Sequence, residues 1–285
     1  MTKAIKYFFQ SVIVYLLFLI GRILGLTISR KLFAALFVFF GPILRSNKIA
    51  EKNLKIIDHK ISNDEIKKII ENMWKNYGIT FIEYIYLKYF HKNNSYVNVK
   101  DEGNLLQIIK ENKPVIFVSG HFANFELMSM EITKQGIPLA TVYRPLNNFF
   151  LNPFMEFLRK KYICKNQIKK GIGGVRESID YLKKKNSIAL MIDQRVSEGE
   201  KIEFFNKSAF TTTLPAQLSI KFNIDILPVY IERDKENNYK IEFQKRIQPK
   251  DFANKLDLTK KLNRVLEKMV VRNLYQWILT HNRWK

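Results

Sequence analysis

Hydrophobic and polar positions change character sharply along the chain, and the first change is the most informative. Tyr7 to Leu26 is apolar apart from Gln10, Ser11 and Arg22, and a second apolar block runs from Leu32 to Leu44. A bilayer-spanning helix needs about 20 predominantly apolar residues. The first block just meets that length if the long Arg22 side chain reaches toward an interface; the second is too short to cross alone. Residues 1–45 are therefore expected to form a membrane anchor followed by an interfacial or packed helix, ahead of a folded domain over 46–285. A cleaved leader fits less well, because Gly21-Arg22-Ile23-Leu24 offers no small-x-small cleavage site and apolar sequence continues beyond it. Two buried helices of a soluble domain would give the same pattern. Basic residues flank the first block on both sides (Lys3 and Lys6; Arg22, Arg30 and Lys31), so the positive-inside rule does not settle its orientation.

Beyond this region, Asn63 to Tyr89 reads as a helix that Ser62 or Asn63 can cap, with Ile66, Ile69, Ile70, Met73 and Trp74 at helical spacing. Pro114 to Ser119 is a short buried strand running into Gly120-His121, and a helical segment from Asn124 to Gln135 follows it. Leu139 to Tyr143, Ser187 to Ile192 and Ile226 to Glu232 read as further strands, with helices near Val175 to Lys185 and Ala216 to Phe222. This alternation predicts an α/β fold with a mostly parallel central sheet flanked by helices, preceded by the N-terminal membrane-associated helices. A last helix from Leu258 to Leu279 would place Leu262, Leu266, Met269, Val270, Leu274, Trp277 and Ile278 on one core-facing stripe.

Composition narrows the partners. Forty-seven per cent apolar residues over 285 positions excludes a disordered chain. With 48 Lys plus Arg against 26 Asp plus Glu, the net charge of +22 points to an anionic partner: nucleic acid, acidic lipid or an acidic carrier protein. Cys164 is the only cysteine, which rules out an intramolecular disulfide and suits a reducing compartment. Four histidines with no HExxH pattern and no cysteine cluster give no reason to expect a metal. Gly171-Ile172-Gly173-Gly174 lacks the following Lys-Ser/Thr of a phosphate loop and reads as a tight start to a helix.

The sharpest chemical signal is Ser119-Gly120-His121-Phe122-Ala123-Asn124-Phe125-Glu126. A histidine leaves a buried strand through a glycine, and an acid follows five positions later. In a continuous helix two such residues would lie about 140° apart. They can meet only if His121 occupies the loop and Glu126 the first helical turn. That arrangement would give an imidazole at a strand end, oriented by a carboxylate, which is what a general base needs. Strand ends are also where open α/β sheets bind ligands. Taken alone, His-x4-Glu occurs often by chance, and a histidine merely satisfied by a nearby acid matches it equally well.

The surrounding sequence adds context. The HFANFE block, Val142-Tyr143-Arg144-Pro145, Asp193-Gln194, Phe204-Phe205 with Thr211-Thr212-Thr213, Ile226-Leu227-Pro228-Val229, and Gln276-Trp277 followed by His281-Asn282-Arg283-Trp284-Lys285 together resemble the lipid A biosynthesis lauroyl/myristoyl acyltransferase family, within the lysophospholipid-acyltransferase-like superfamily. Asn282 stands where members often carry Arg, and Phe122-Ala123-Asn124 differs from several subfamilies. The resemblance implies an acyltransferase domain over 46–285 with His121 and Glu126 as the catalytic pair, and a role for the Tyr-Arg-Pro block in the active site. It also places an important arginine near Arg159. Arg144 would contact an oxyanion or phosphate through its fixed fork. Asp193, at another strand end, would orient an arginine or substrate, unless it only caps a helix.

The same resemblance implies acyl carrier protein as donor and a lipid A precursor hydroxyl as acceptor. It implies no cofactor beyond the acyl thioester, which is a co-substrate, and a bacterial inner-membrane enzyme with its catalytic domain on the cytoplasmic side. The basic run from Arg159 through Lys160, Lys161, Lys165, Lys169 and Lys170 would steer an acidic carrier and an anionic lipid. Acylation of another membrane lipid or glycolipid is the nearest rival. A noncatalytic membrane scaffold would tolerate loss of His121, and a nucleic-acid-binding protein would leave the apolar N-terminus unexplained.

Overall fold

The computed structural model describes residues 2–100 and 102–285. Helix α1 (Lys3–Leu44) joins both apolar blocks and is broken at Gly25, whose φ of 76° and ψ of 165° lie outside the helical region and in a range that side-chain-bearing residues rarely adopt. The break lets Ser29 Oγ donate to the Gly21 carbonyl at 2.7 Å. Over those eight residues a straight helix would rise about 12 Å, so the two arms are sharply bent. The polar stretch between the blocks, expected to separate two helices, is itself helical. Ser29 and Arg30 turn inward and are buried, which is why polar residues persist there.

After α2 (Lys48–Ile57), helix α3 (Asn63–Glu83) starts at a capping box in which Ser62 and Glu65 satisfy each other's backbone groups. Both arms of α1 pack along α3. Phe18 and Phe81 meet at 5.0 Å between ring centres, and Gly78 lies so close to the other arm that a Cβ would sit 2.1 Å from the Phe33 carbonyl oxygen. The outer side of α1 remains exposed and apolar, including Phe9, Leu16, Leu19 and Ile23. The helix expected over 63–89 ends earlier, passing through a 3-10 turn (Tyr84–Tyr86) into the short α4 (Leu87–Lys92).

The body is built from β1 (Val97–Lys100), α5 (Glu102–Glu111), β2 (Ile116–Ser119), α6 (Glu126–Lys134), β3 (Leu139–Tyr143), α7 (Asn152–Tyr162), β4 (Asn166–Lys169), α8 (Ile172–Lys183) and β5 (Ser187–Met191). A hairpin of β6 (Glu200–Phe204) and β7 (Lys207–Thr211) follows, then α9 (Leu214–Phe222), β8 (Ile226–Arg233), β9 (Tyr239–Phe243) and α10 (Lys255–Arg272). Seven strands form one sheet in the order β1-β9-β8-β2-β5-β3-β4, parallel throughout except for the β8–β9 pair. This is the expected α/β architecture. Its central strands are buried on both faces, hence their unbroken apolar runs.

The last helix differs from expectation. It stops at Arg272, and Leu274, Trp277 and Ile278 lie on a 3-10 turn and irregular chain beyond it. Tertiary bonds override the helical period there: the Gln276 side chain pairs with the backbone of Arg233 at 2.8 and 2.7 Å, and the Gln276 carbonyl accepts from Ala123 N at 2.9 Å.

One buried charge cluster ties these layers together. Glu83, with no exposed side-chain surface, receives Arg30 from α1 at 2.7 Å and Arg233 from β8 at 3.1 Å, as well as the Tyr239 hydroxyl and Asn124 Nδ2. Burial pushes the Glu83 carboxyl upward, but Arg233 and Arg30 offset this and hold it below its ordinary value. Breaking such a buried pair by removing one member typically costs about 3–5 kcal/mol. Glu83 thus fixes the N-terminal helices against the sheet and against the loop that carries His121.

Candidate active site

His121 and Asp193 come together because their strands are neighbours. β2 and β5 pair in parallel with Ser119 opposite Met191, and Ile192 N continues the ladder to the Ser119 carbonyl at 2.9 Å. Two residues further on, each chain leaves the sheet beside the other. His121 Nδ1 then lies 2.7 Å from Asp193 Oδ1, while His121 N donates to Asp193 Oδ2 at 2.8 Å. Trp277 Nε1 donates to the same Oδ2 at 2.9 Å. Burial would raise the Asp193 carboxyl, yet the His121 charge and these hydrogen bonds keep it below its usual value. An ionised Asp193 holds the proton on His121 Nδ1 and leaves Nε2 as the basic nitrogen.

The expected bond between His121 and Glu126 is not formed. Ala123, at φ 44°, turns the chain sharply, and Glu126 opens α6 with its side chain directed at α7. There it accepts Arg159 Nε at 2.7 Å and the Tyr84 hydroxyl at 2.6 Å, and Arg159 Nη2 lies 2.6 Å away. The partner expected for His121 is therefore the partner of Arg159. Burial works against the Arg159 charge, but Glu126 and Tyr84 outweigh it and raise the guanidinium pKa. Arg159 Nη1 is buried and has no hydrogen-bond partner among the described residues.

A cavity of about 460 Å³ opens in front of the imidazole, lined among others by His121, Glu126, Arg144, Arg159, Thr212 and His281. Arg144 stands in its wall, and among the described residues its side chain has only a long contact, 3.5 Å, to Asn147. Asp193 is fully buried behind His121 and does not line the cavity. The cavity thus gathers the His121 imidazole, three arginines (Arg144, Arg159 and Arg195) and apolar side chains such as Phe125, Val142 and Leu190. Among the described residues no group of three His, Cys, Asp or Glu side chains is placed to hold a metal ion.

Two contributions were not foreseen from the sequence. Trp277 reads from the sequence as part of a core stripe, and nothing in the linear pattern marks its indole as a third donor to Asp193 beside the two of His121. His281 reaches the cavity from the C-terminal segment, where its Nε2 accepts from Arg195 N at 2.9 Å. Burial lowers its pKa from 6.5 to about 4. Above pH 6.5 it is neutral in both folded and unfolded chains. Between 6.5 and about 4 the unfolded chain binds the extra proton, so stability falls as pH falls through that window. Thermal melts across this range should show a decline that shrinks in His281→Gln, and an unchanged slope would contradict this role.

Residues 2–285 match the family described as "Bacterial lipid A biosynthesis acyltransferase". No curated protein matches the sequence. Among solved structures, the chain is similar to the crystal structure of the 1-acyl-sn-glycerophosphate (LPA) acyltransferase PlsC from Thermotoga maritima, with 15% identity and a TM-score of 0.43, covering 89% of this chain and 99% of that one. Because the family match runs through virtually the whole sequence, from the apolar N-terminal helix to the segment that delivers Trp277 and His281, the chain belongs to the bacterial lipid A biosynthesis acyltransferase family.

Proposed function

We propose that the protein transfers a fatty acyl chain from acyl carrier protein to a hydroxyl of a lipid A precursor, by direct attack with His121 as general base. The supporting observation is the His121 ring, fixed by Asp193 at the mouth of a cavity that also holds arginines. His121 Nε2 takes the proton as the acceptor oxygen bonds to the thioester carbonyl carbon. The tetrahedral oxyanion then collapses, the carbon–sulfur bond breaks, and the imidazolium returns its proton to the departing thiolate. No acyl-enzyme forms.

Glu126 serves this reaction through Arg159, neutralising and aiming a guanidinium that retains a free N–H. That group, with Arg144, would stabilise the oxyanion or hold an anionic part of the acceptor. Lys160, Lys161 and Lys165, exposed on and just beyond α7, suit an acidic carrier protein. A soluble carrier donor and the single buried cysteine fit a catalytic domain on the cytoplasmic side of the inner membrane.

The assay that tests this offers purified protein acyl carrier protein or coenzyme A thioesters against a lipid A precursor or a lysophospholipid. The expected product carries one added acyl chain on the lipid A precursor, formed faster from the carrier-bound donor. Acylation of the lysophospholipid alone would overturn the acceptor assignment.

A further inference from the structure

The connection from β3 to α7, with the helix that follows, carries large apolar side chains that the body leaves exposed. Phe149 and Phe157 are 53% and 51% exposed, and Leu146 and Phe150 add to the same cluster. This connection also walls the catalytic cavity, through Arg144, Pro145, Leu146 and Asn147. It forms the rim of the site.

The rim is fastened to α1. Tyr7 meets Phe149 at 5.8 Å and Phe8 meets Phe150 at 5.7 Å between ring centres, and the Tyr15 hydroxyl donates to the Phe150 carbonyl at 3.0 Å. Asn148 acts as the clip: it accepts from Ser11 Oγ at 3.0 Å and donates to the Tyr7 carbonyl at 2.9 Å, while Phe150 N donates to its side-chain oxygen at 3.0 Å. The exposed apolar side of α1 therefore continues without interruption onto the rim.

We propose that this rim is a second membrane-embedded element, seated with the outer side of α1 in the acyl layer of an anionic phospholipid bilayer, so that the cavity opens sideways and a lipid's acyl chain reaches His121 without crossing water. Continuity with α1 supports a bilayer as the occupant, because contiguous apolar surface of this kind marks a membrane or protein contact. The placement of α1 supports it further. Contacts from Tyr7 with Phe149 to Gly41 against Trp74 keep both arms on the body, so the membrane-facing surface is a flank of the catalytic domain rather than a stalk leading away from it. The flanking charge fits as well. Lys161 Nζ lies 5.0 Å from the Phe157 ring, an arrangement of cation beside aromatic that suits an anionic headgroup layer. An acidic carrier protein would meet the lysines, not the phenyl rings.

The inference rests on the proposed acylation of a membrane lipid for what enters the cavity, and its test reads insertion independently of turnover. Full-length protein carrying Phe149→Cys and Cys164→Ala is labelled with a nitrobenzoxadiazole fluorophore and mixed with phosphatidylglycerol–phosphatidylethanolamine vesicles, with Leu19→Cys and Glu236→Cys as references. Insertion predicts a blue shift and quenching by acyl-chain spin labels at 149 as at 19, with 236 remaining aqueous. A label at 149 that stays aqueous while 19 is quenched would overturn the proposal. So would shielding at 149 without vesicles, whether it follows protein concentration, as for a second copy, or added carrier protein. Independently, Phe149→Ser with Phe150→Ser should weaken vesicle binding on the order of tenfold or more, and unchanged binding by a folded variant would also count against it. Insertion without any lipid A acylation would sink the functional reading and leave the rim intact.

Discussion

His121→Ala is expected to lower acyl transfer by about 10²- to 10⁴-fold, the range general-base catalysis supplies. The side chain lines an open cavity and is partly exposed, so its loss removes no core packing and the melting temperature should stay near that of the parent. KM for the donor should change little, since the imidazole acts on the acceptor proton. Initial rates with a carrier-bound donor check this, and an active His121→Ala protein would dismiss the base assignment.

Asp193→Asn should be comparably damaging, by about 10³- to 10⁴-fold, because the wrong imidazole tautomer would be enforced. One carboxylate oxygen receives two N–H donors, from the His121 backbone and Trp277. An asparagine must keep its carbonyl oxygen there, which turns its NH2 toward His121 Nδ1. The ring then carries its proton on Nε2 and has no lone pair for the acceptor. Since base and orienting carboxylate act as a unit, the double variant should lose little more than the worse single one. Multiplicative losses would contradict the pairing. Glu126→Gln works by another route: it leaves the Arg159 charge in a buried site without its carboxylate, so its damage should include a lower melting temperature.

The scaffold was readable where burial imposes a simple pattern. Strands β2, β5 and β8 are buried on nearly every side chain, so they stand out as apolar runs ended by Gly120, Asp193 and a charged turn. The edge strands leave little trace: β1 alternates with exposed polar residues over only four positions, and β4 has a single buried apolar residue, Ile168, among polar ones. The arms of α1 were visible as apolar blocks, but Arg30 reads as an interruption until Glu83 is seen beneath it.

At the site, His121 was legible as a histidine at a strand end, and its partner was not. Glu126 is the nearest acid along the chain, whereas Asp193 becomes the nearest in space only once β2 and β5 lie side by side, a pairing that a single sequence does not reveal. Trp277 was hidden for a related reason. Its burial fits a helical stripe as well as it fits the irregular segment that carries its indole to Asp193.

The central claim is that this chain adds one acyl group to lipid A through His121. Mass spectrometry of lipid A from cells lacking the protein, and from the same cells supplied with the parent chain or with His121→Ala, tests it most directly. Loss of a single acyl chain, restored by the parent and not by the variant, is the predicted result; lipid A of unchanged mass in the deletion, or full restoration by His121→Ala, would contradict it.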